Sequence, residues 1–185
     1  MAAREAIYNH FHSSLGVQAY FFDVSRADEY AAYYTSMYLL QDTSEALWTH
    51  RRRGFSSRSL DAYIEFWGVM QAIAIQQDAV LELHLTIAGA RLNTRSLTAW
   101  SVLREKRVVC AGHPAGRRHH VPAPQRSFMG RSFGDYSSIR YELWDANTRS
   151  SSYPSFRLGD LLDKYDSEVE GILLTLLRVM TIRWP

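Results

Sequence analysis

The sequence predicts a mainly α fold: a bundle of four to five helices with a small β-hairpin insertion after the third core helix. Three observations carry this. Long segments repeat apolar residues at helical spacing. Between residues 112 and 135 the composition shifts abruptly to Gly, Pro and Arg. After it, Ser138 to Trp144 alternates apolar and polar residues as a half-buried strand does.

Residues 4–24 hold two apolar patches, Ala6-Ile7-Tyr8 and Ala19-Tyr20-Phe21-Phe22, around a Ser-Ser-Leu-Gly break. They read as a short helix followed by an extended piece. Ser25, with Asp28 three residues on, reads as the capping box of a helix running to Arg53. Tyr30, Tyr33, Tyr34, Met37, Tyr38, Leu40, Leu47 and Trp48 supply its apolar stripe, and Arg51, Arg52 and Arg53 complement its carboxyl end before Gly54.

Ser57 or Ser59 opens the longest helix, to about residue 91. It is apolar around most of its circumference, as a central helix or one shared with a partner chain would be. Gln71, Asp78 and Glu82 form a polar stripe on it, because seven steps nearly close two turns. Arginines of the following helix are the expected partners of that stripe. This next helix, capped by Ser96 and running to about Ala111, buries Leu97, Trp100, Leu103 and Val108. Gly112 and Pro114 stop it.

Residues 112–157 are the insertion: a long loop containing Arg117, Arg118, His119 and His120, then a hairpin of Ser127 to Phe133 with Ser138 to Trp144 across Gly134-Asp135. Asn147 to Pro154 reads as a polar loop. The last helix, Asp160 to about Arg183, closes the bundle, so residues 1–185 are read as one domain.

Composition narrows the function. Net charge is +2, and nineteen of the twenty-one Lys and Arg residues are Arg. Arginine codon preference explains that bias before phosphate binding does. One cysteine, Cys110, excludes an internal disulfide and a cysteine zinc site. Adjacent His119 and His120 point in different directions, and no ligand set accompanies them; no metal and no cofactor are expected. No apolar run reaches membrane-span length and no signal-peptide core is visible, so the expectation is a cytoplasmic protein with no membrane partner. Walker, dinucleotide and Gly-x-Ser-x-Gly patterns do not occur.

The segment Leu103-Arg104-Glu105-Lys106-Arg107-Val108-Val109-Cys110-Ala111-Gly112-His113-Pro114 concentrates the chemistry. It brings an always-charged guanidinium and a titratable imidazole to a helix end. On a straight helix Arg107 and His113 stand about 120° apart, so they converge only if the backbone turns or a second chain contributes. Arg107, five residues and His113, closed by Gly-His-Pro, resembles the motif of the HEPN superfamily (higher eukaryotes and prokaryotes nucleotide-binding domains). A second pair at the same interval, Arg4 and His10, lies near the N-terminus.

The HEPN resemblance implies an all-α, HEPN-like bundle and a homodimer whose Arg/His pairs line one cleft. It implies a metal-independent endoribonuclease, a toxin or phage-defence effector, that cuts RNA by 2′-hydroxyl attack. His113 would be the general acid/base and Arg107 the transition-state cation. Asp78, Arg104 and Lys106 would support them, Arg117 and Arg118 would bind RNA, and an antitoxin protein would be a further partner. Family members often carry a polar residue directly after the Arg, where this chain has Val108. That keeps a second expectation open: a catalytically inactive HEPN-like helical module binding a protein or nucleotide partner.

Overall fold

The computed structural model describes residues 2–112 and 125–185. Its helices are α1 (Ala2–Ser13), α2 (Leu15–Phe21), α3 (Ala27–Arg53), α4 (Ser59–Ala88), α5 (Thr98–Arg107) and α6 (Leu158–Arg183), with a 3₁₀ turn at Val24–Arg26 and a π-helical turn at Val108–Gly112. Six short strands lie between α5 and α6: β1 (Gln125–Phe128), β2 (Gly134–Asp135), β3 (Ser138–Arg140), β4 (Glu142–Asp145), β5 (Ser150–Ser152) and β6 (Ser155–Phe156). The protein is thus mainly helical with small antiparallel sheets. Among the described residues no helix is long and apolar enough to cross a membrane.

Helices α3 and α4 form the main hairpin, α1 packs on α6, and α5 packs on both α4 and α6. Most of the stripe residues read from sequence face the core, but Trp48 of α3 is exposed. Tyr33, Met37 and Leu40 of α3 are buried, as are Phe66, Met70, Ile73, Val80, Leu83 and Ile87 of α4 and Leu162, Tyr165, Leu173 and Leu176 of α6. The tyrosines of α3 divide: Tyr33 stacks on Phe11 with ring centroids 4.4 Å apart, whereas Tyr34 and Tyr38 remain exposed.

Several local expectations are corrected. The stretch after α1 is not extended. Ser14 breaks α1 and caps α2 by accepting from the Val17 N–H at 3.3 Å, while its hydroxyl donates to the Trp184 carbonyl at 3.2 Å. Ser25 does not cap α3; Asp23 accepts from the Ser25 N–H and starts the 3₁₀ turn that leads into the helix. Nor does Ser96 cap α5. The cap is remote: the Glu168 carboxylate on α6 accepts from the Ala99 N–H at 2.9 Å and the Trp100 N–H at 2.8 Å. A carboxylate at a helix N-terminus satisfies free donors and meets the positive end of the helix dipole.

The hairpin also differs. Gly134 and Asp135 are strand residues, and the tight turn falls at Tyr136 and Ser137, where Asp135 Oδ1 accepts from the Ser137 N–H at 2.8 Å. Gly134 has φ +110°, and a Cβ there would collide with the Ser138 carbonyl oxygen. The pairing of 127–133 with 138–144 is as expected: Ser127 and Phe128 of β1 pair with Leu143 and Glu142 of β4, and the Arg140 N–H donates to the Phe133 carbonyl at 2.7 Å. The segment read as a polar loop, Asn147 to Pro154, supplies β5, and β6 follows directly after it. Leu143 faces Ser152, Asp145 faces Ser150, Ile139 faces Phe156 and Arg140 faces Ser155. The register is therefore constant along 138–145 and 150–156. These strands are one long hairpin, interrupted opposite Tyr141 because Pro154 has no N–H to give. Tyr141 N–H still donates to the Pro154 carbonyl at 3.2 Å.

The hairpin turn is latched to the end of α3. Tyr136 hydroxyl and His50 Nδ1 are 2.7 Å apart, and Phe55 stacks on the Tyr136 ring at 4.9 Å. His50 Nε2 lies 3.5 Å from Glu65, which also holds Arg53 at 2.8 Å. The arginine triplet is engaged internally: Arg51 binds Asp163 at 2.7 Å, Arg53 binds Glu65, and Arg52 lies 4.5 Å from the Trp48 ring centroid.

Two predictions follow from these contacts. Glu168→Ala should lower unfolding free energy by roughly 1–2 kcal/mol, the range of a lost helix cap. Urea denaturation with an unchanged midpoint would contradict the remote cap. His50 sits below its ordinary pKa of 6.5, through burial first and the Arg53 charge second, against the raising effect of Glu65. The unfolded chain therefore takes up that proton first. The stability His50 confers is present above about pH 6.5 and is lost as pH falls toward its folded pKa. Urea midpoints should drop between roughly pH 7.5 and 5.5, and drop less in His50→Gln; equal slopes in the two proteins would count against the latch.

Candidate functional site at the end of the fifth helix

Helix α5 ends on three cations, and the structure gives each a different setting. Arg104 reaches across to Asp78 of α4, Nη2 to Oδ1 at 2.9 Å. Both groups are well exposed, so the pair fixes direction more than it stabilises. Arg107 donates from Nη2 to Oε1 of Gln71 at 3.1 Å, its one hydrogen bond among the described residues. Gln71 and Asp78 are two of the three members of the polar stripe on α4, two turns apart. They grip two arginines one turn apart on α5.

The two grips differ in charge. Asp78 neutralises Arg104. Gln71 is a neutral amide, so it orients Arg107 without cancelling its charge. Asp78 thus engages Arg104 and not Arg107; the residue that orients Arg107 is Gln71. Its signal was its place seven residues before Asp78 on a helix that is otherwise apolar.

Lys106 points the other way, under the β-hairpin. Its Nζ lies 3.0 Å from Glu105 Oε1 and 3.3 Å from the Tyr141 hydroxyl, with the Tyr141 and Phe156 ring centroids at 5.7 and 5.9 Å. Burial opposes its charge, but the Glu105 and Tyr141 contacts outweigh burial and its pKa is raised. Lys106 is therefore a clamp between α5 and the hairpin, not an open cation.

After Arg107 the backbone widens into the π-helical turn Val108–Gly112. Such turns insert a residue into the α-helical ladder and recur at functional sites. The Arg107 side chain lies against this turn. A Cβ on Gly112 would sit 3.4 Å from the Arg107 carbonyl oxygen and 3.8 Å from its Cζ and Nη1. The guanidinium is thus folded back to the residue immediately before His113. His113 itself, with Arg117, Arg118, His119 and His120, lies outside the described residues. Inside the turn, Cys110 is 2% exposed and burial pushes its thiol up to about 12. It packs in the core, where burial disfavours the thiolate.

The second Arg/His pair is committed elsewhere. Arg4 Nε donates to the Met37 carbonyl at 3.3 Å, and His10 Nε2 lies 3.1 Å from the Trp184 carbonyl. Both serve contacts between helices. Only Arg107, of the two arginines, stands beside a polar surface at a helix end. Among the described residues no group of three or more His, Cys, Asp or Glu is placed to hold a metal ion. Compared with protein-family models, curated proteins and solved structures, the chain finds no match.

Proposed function

We propose that this protein is a HEPN-like, metal-independent endoribonuclease acting as a homodimer. The observation that carries the reading is the Arg107 guanidinium, oriented by a neutral amide and folded against the π-turn that leads to His113. A cation so held keeps its charge available for a phosphate. The next residue in the chain after the turn is His113, and histidine is the side chain suited to acid–base chemistry near neutral pH.

In the proposed reaction the 2′-hydroxyl of the RNA attacks the adjacent phosphorus. His113 takes the hydroxyl proton as the new O–P bond forms. Arg107 offers its planar fork to the non-bridging oxygens as charge builds in the phosphorane. The bond to the 5′-oxygen then breaks, and a protonated imidazole returns a proton to that oxygen. The products are a 2′,3′-cyclic phosphate and a 5′-hydroxyl. Arg104 adds positive field nearby, and Arg117 and Arg118 would meet flanking phosphates.

The dimer reading is supported by the outward face of α4. Leu60, Ile64 and Trp67 are exposed at helical spacing, and Gly68 leaves open space where a second helix can approach. That stripe continues directly to Gln71 and hence to Arg107. A two-fold axis along it would bring two Arg107 side chains to one cleft. An antitoxin that covers the cleft, and a cytoplasmic role as a toxin or phage-defence effector, belong to the same proposal.

The test is cleavage of total RNA in the presence of a chelator. Arg107→Ala and His113→Ala should each slow cutting at least about a hundredfold, with helical content and urea midpoint unchanged. Cutting at the wild-type rate by either variant would remove this mechanism. RNA binding without cutting by the wild-type chain would instead favour the inactive binding module.

A further inference from the structure

The β-hairpin has two faces, and constant register sorts every residue onto one of them. Ile139 and Tyr141 are buried, and Leu143 and Phe156 pack on the core, so odd positions on β3–β4 face inward. The Ser127 hydroxyl of β1 also points inward and donates to the Val109 carbonyl in the π-turn. Alternation then places Arg140, Glu142 and Trp144 outward, with Phe128 beside Glu142 and Arg126 beside Trp144 across the β1–β4 ladder. Continuity of register along the long hairpin puts Tyr153 on the other side of Glu142.

The outward face is therefore aromatic and basic. Phe128 is 64% exposed and Tyr153 58% exposed. Trp144 is partly buried. Neighbouring strands are about 4.8 Å apart, so Phe128 and Tyr153 lie roughly 10 Å from each other with Glu142 between them and Trp144 in the next row. Arg140 extends over the Tyr153 ring, 5.6 Å from its centroid. The charged residues placed on this face are Arg126 and Arg140 against Glu142. Asp135 and Asp145 hold the turns by hydrogen bonds, and Glu142 accepts from the Ser151 hydroxyl at 2.6 Å, a contact that orients it and leaves it charged.

We infer that this face binds single-stranded RNA, with bases stacked on Phe128, Trp144 and Tyr153 and phosphates met by Arg126 and Arg140. Every base has a flat face that stacks on an aromatic ring, and arginine beside such rings serves both base and phosphate. A duplex hides its base faces and cannot use the platform. The inward side of the hairpin is fastened to the end of α5 through Lys106 and through Ser127, so a strand held here is held in fixed relation to Arg107. The choice of RNA as ligand rests on the ribonuclease reading; the stacking platform rests on the sheet alone.

The experiment measures fluorescence anisotropy of a labelled polyuridine oligomer with the full chain carrying His113→Ala, which keeps the probe intact. Adding Phe128→Ala and Tyr153→Ala together should weaken binding at least tenfold, since each lost stacking contact costs roughly five- to a hundredfold. Arg126→Ala should reduce the salt dependence of binding by about one phosphate contact. Both aromatics are surface residues, and an unchanged urea midpoint checks the fold. Equal binding by the double variant, or equal competition by duplex RNA, would overturn the platform. A polydeoxythymidine oligomer bound as tightly as polyuridine would overturn RNA as its ligand. Aromatic-dependent binding without cleavage by the wild-type chain would remove the nuclease reading and leave the platform standing.

Discussion

A helix of ten residues is too short to be stable by itself, and the functional reading depends on how α5 is held. Both of its ends are gripped from outside. At the N-terminus Glu168 takes two backbone donors. At the C-terminus Gln71 and Asp78 take one guanidinium each. The first contact comes from α6 and the others from α4, so α5 is fixed only when the bundle is assembled. Its interior supports this: Trp100 is buried with its ring centroid 5.8 Å from that of Tyr165, and Gln77, fully buried on α4, donates to the Trp100 carbonyl at 3.0 Å. The direction of Arg107 is thus a property of tertiary structure, not of helix propensity.

The same helix end carries the hairpin. Lys106 lies between the Glu105 carboxylate and the Tyr141 phenol, under two aromatic rings, and Ser127 ties β1 to the π-turn. At its far end the hairpin is latched through Tyr136 to His50 and stacked on Phe55. Two independent attachments on a short, twisted hairpin hold its outward face in place. An insertion between bundle helices then becomes a surface set at a defined distance from Arg107, which is what a strand-binding face beside a cleavage site would require.

Much of the bundle was legible in the sequence because apolar spacing over twenty or more residues has few readings. The stripes of α3, α4 and α6 lie largely where the pattern put them, except that Tyr34, Tyr38 and Trp48 of α3 face outward. The pairing of the polar stripe on α4 with α5 arginines was also legible, since polar groups on a buried helix need partners. Which arginine meets which partner was not: Gln71 and Asp78 share the stripe, and only the crossing of the helices assigns Arg107 to the first. The cap of α5 was hidden for a similar reason, since Glu168 is about seventy residues away in sequence. Ser150-Ser151-Ser152 carries no alternation, because its apolar partner Leu143 lies on the opposite strand. The π-turn left no trace either. Val108, Val109, Cys110 and Ala111 suit an α-helix equally well, and the two ladders differ by one residue in each hydrogen bond.

The central claim is that Arg107 and His113 act together on the RNA backbone through the neighbouring 2′-hydroxyl. The chemistry of the cut ends tests this most directly. Fragments made by the full chain in chelator should accept a 5′ label from polynucleotide kinase without prior phosphatase treatment. Their 3′ ends should resist ligation until mild acid opens a cyclic phosphate. Fragments that carry 5′-phosphate and free 3′-hydroxyl ends would contradict the account, because attack by the 2′-hydroxyl cannot produce them.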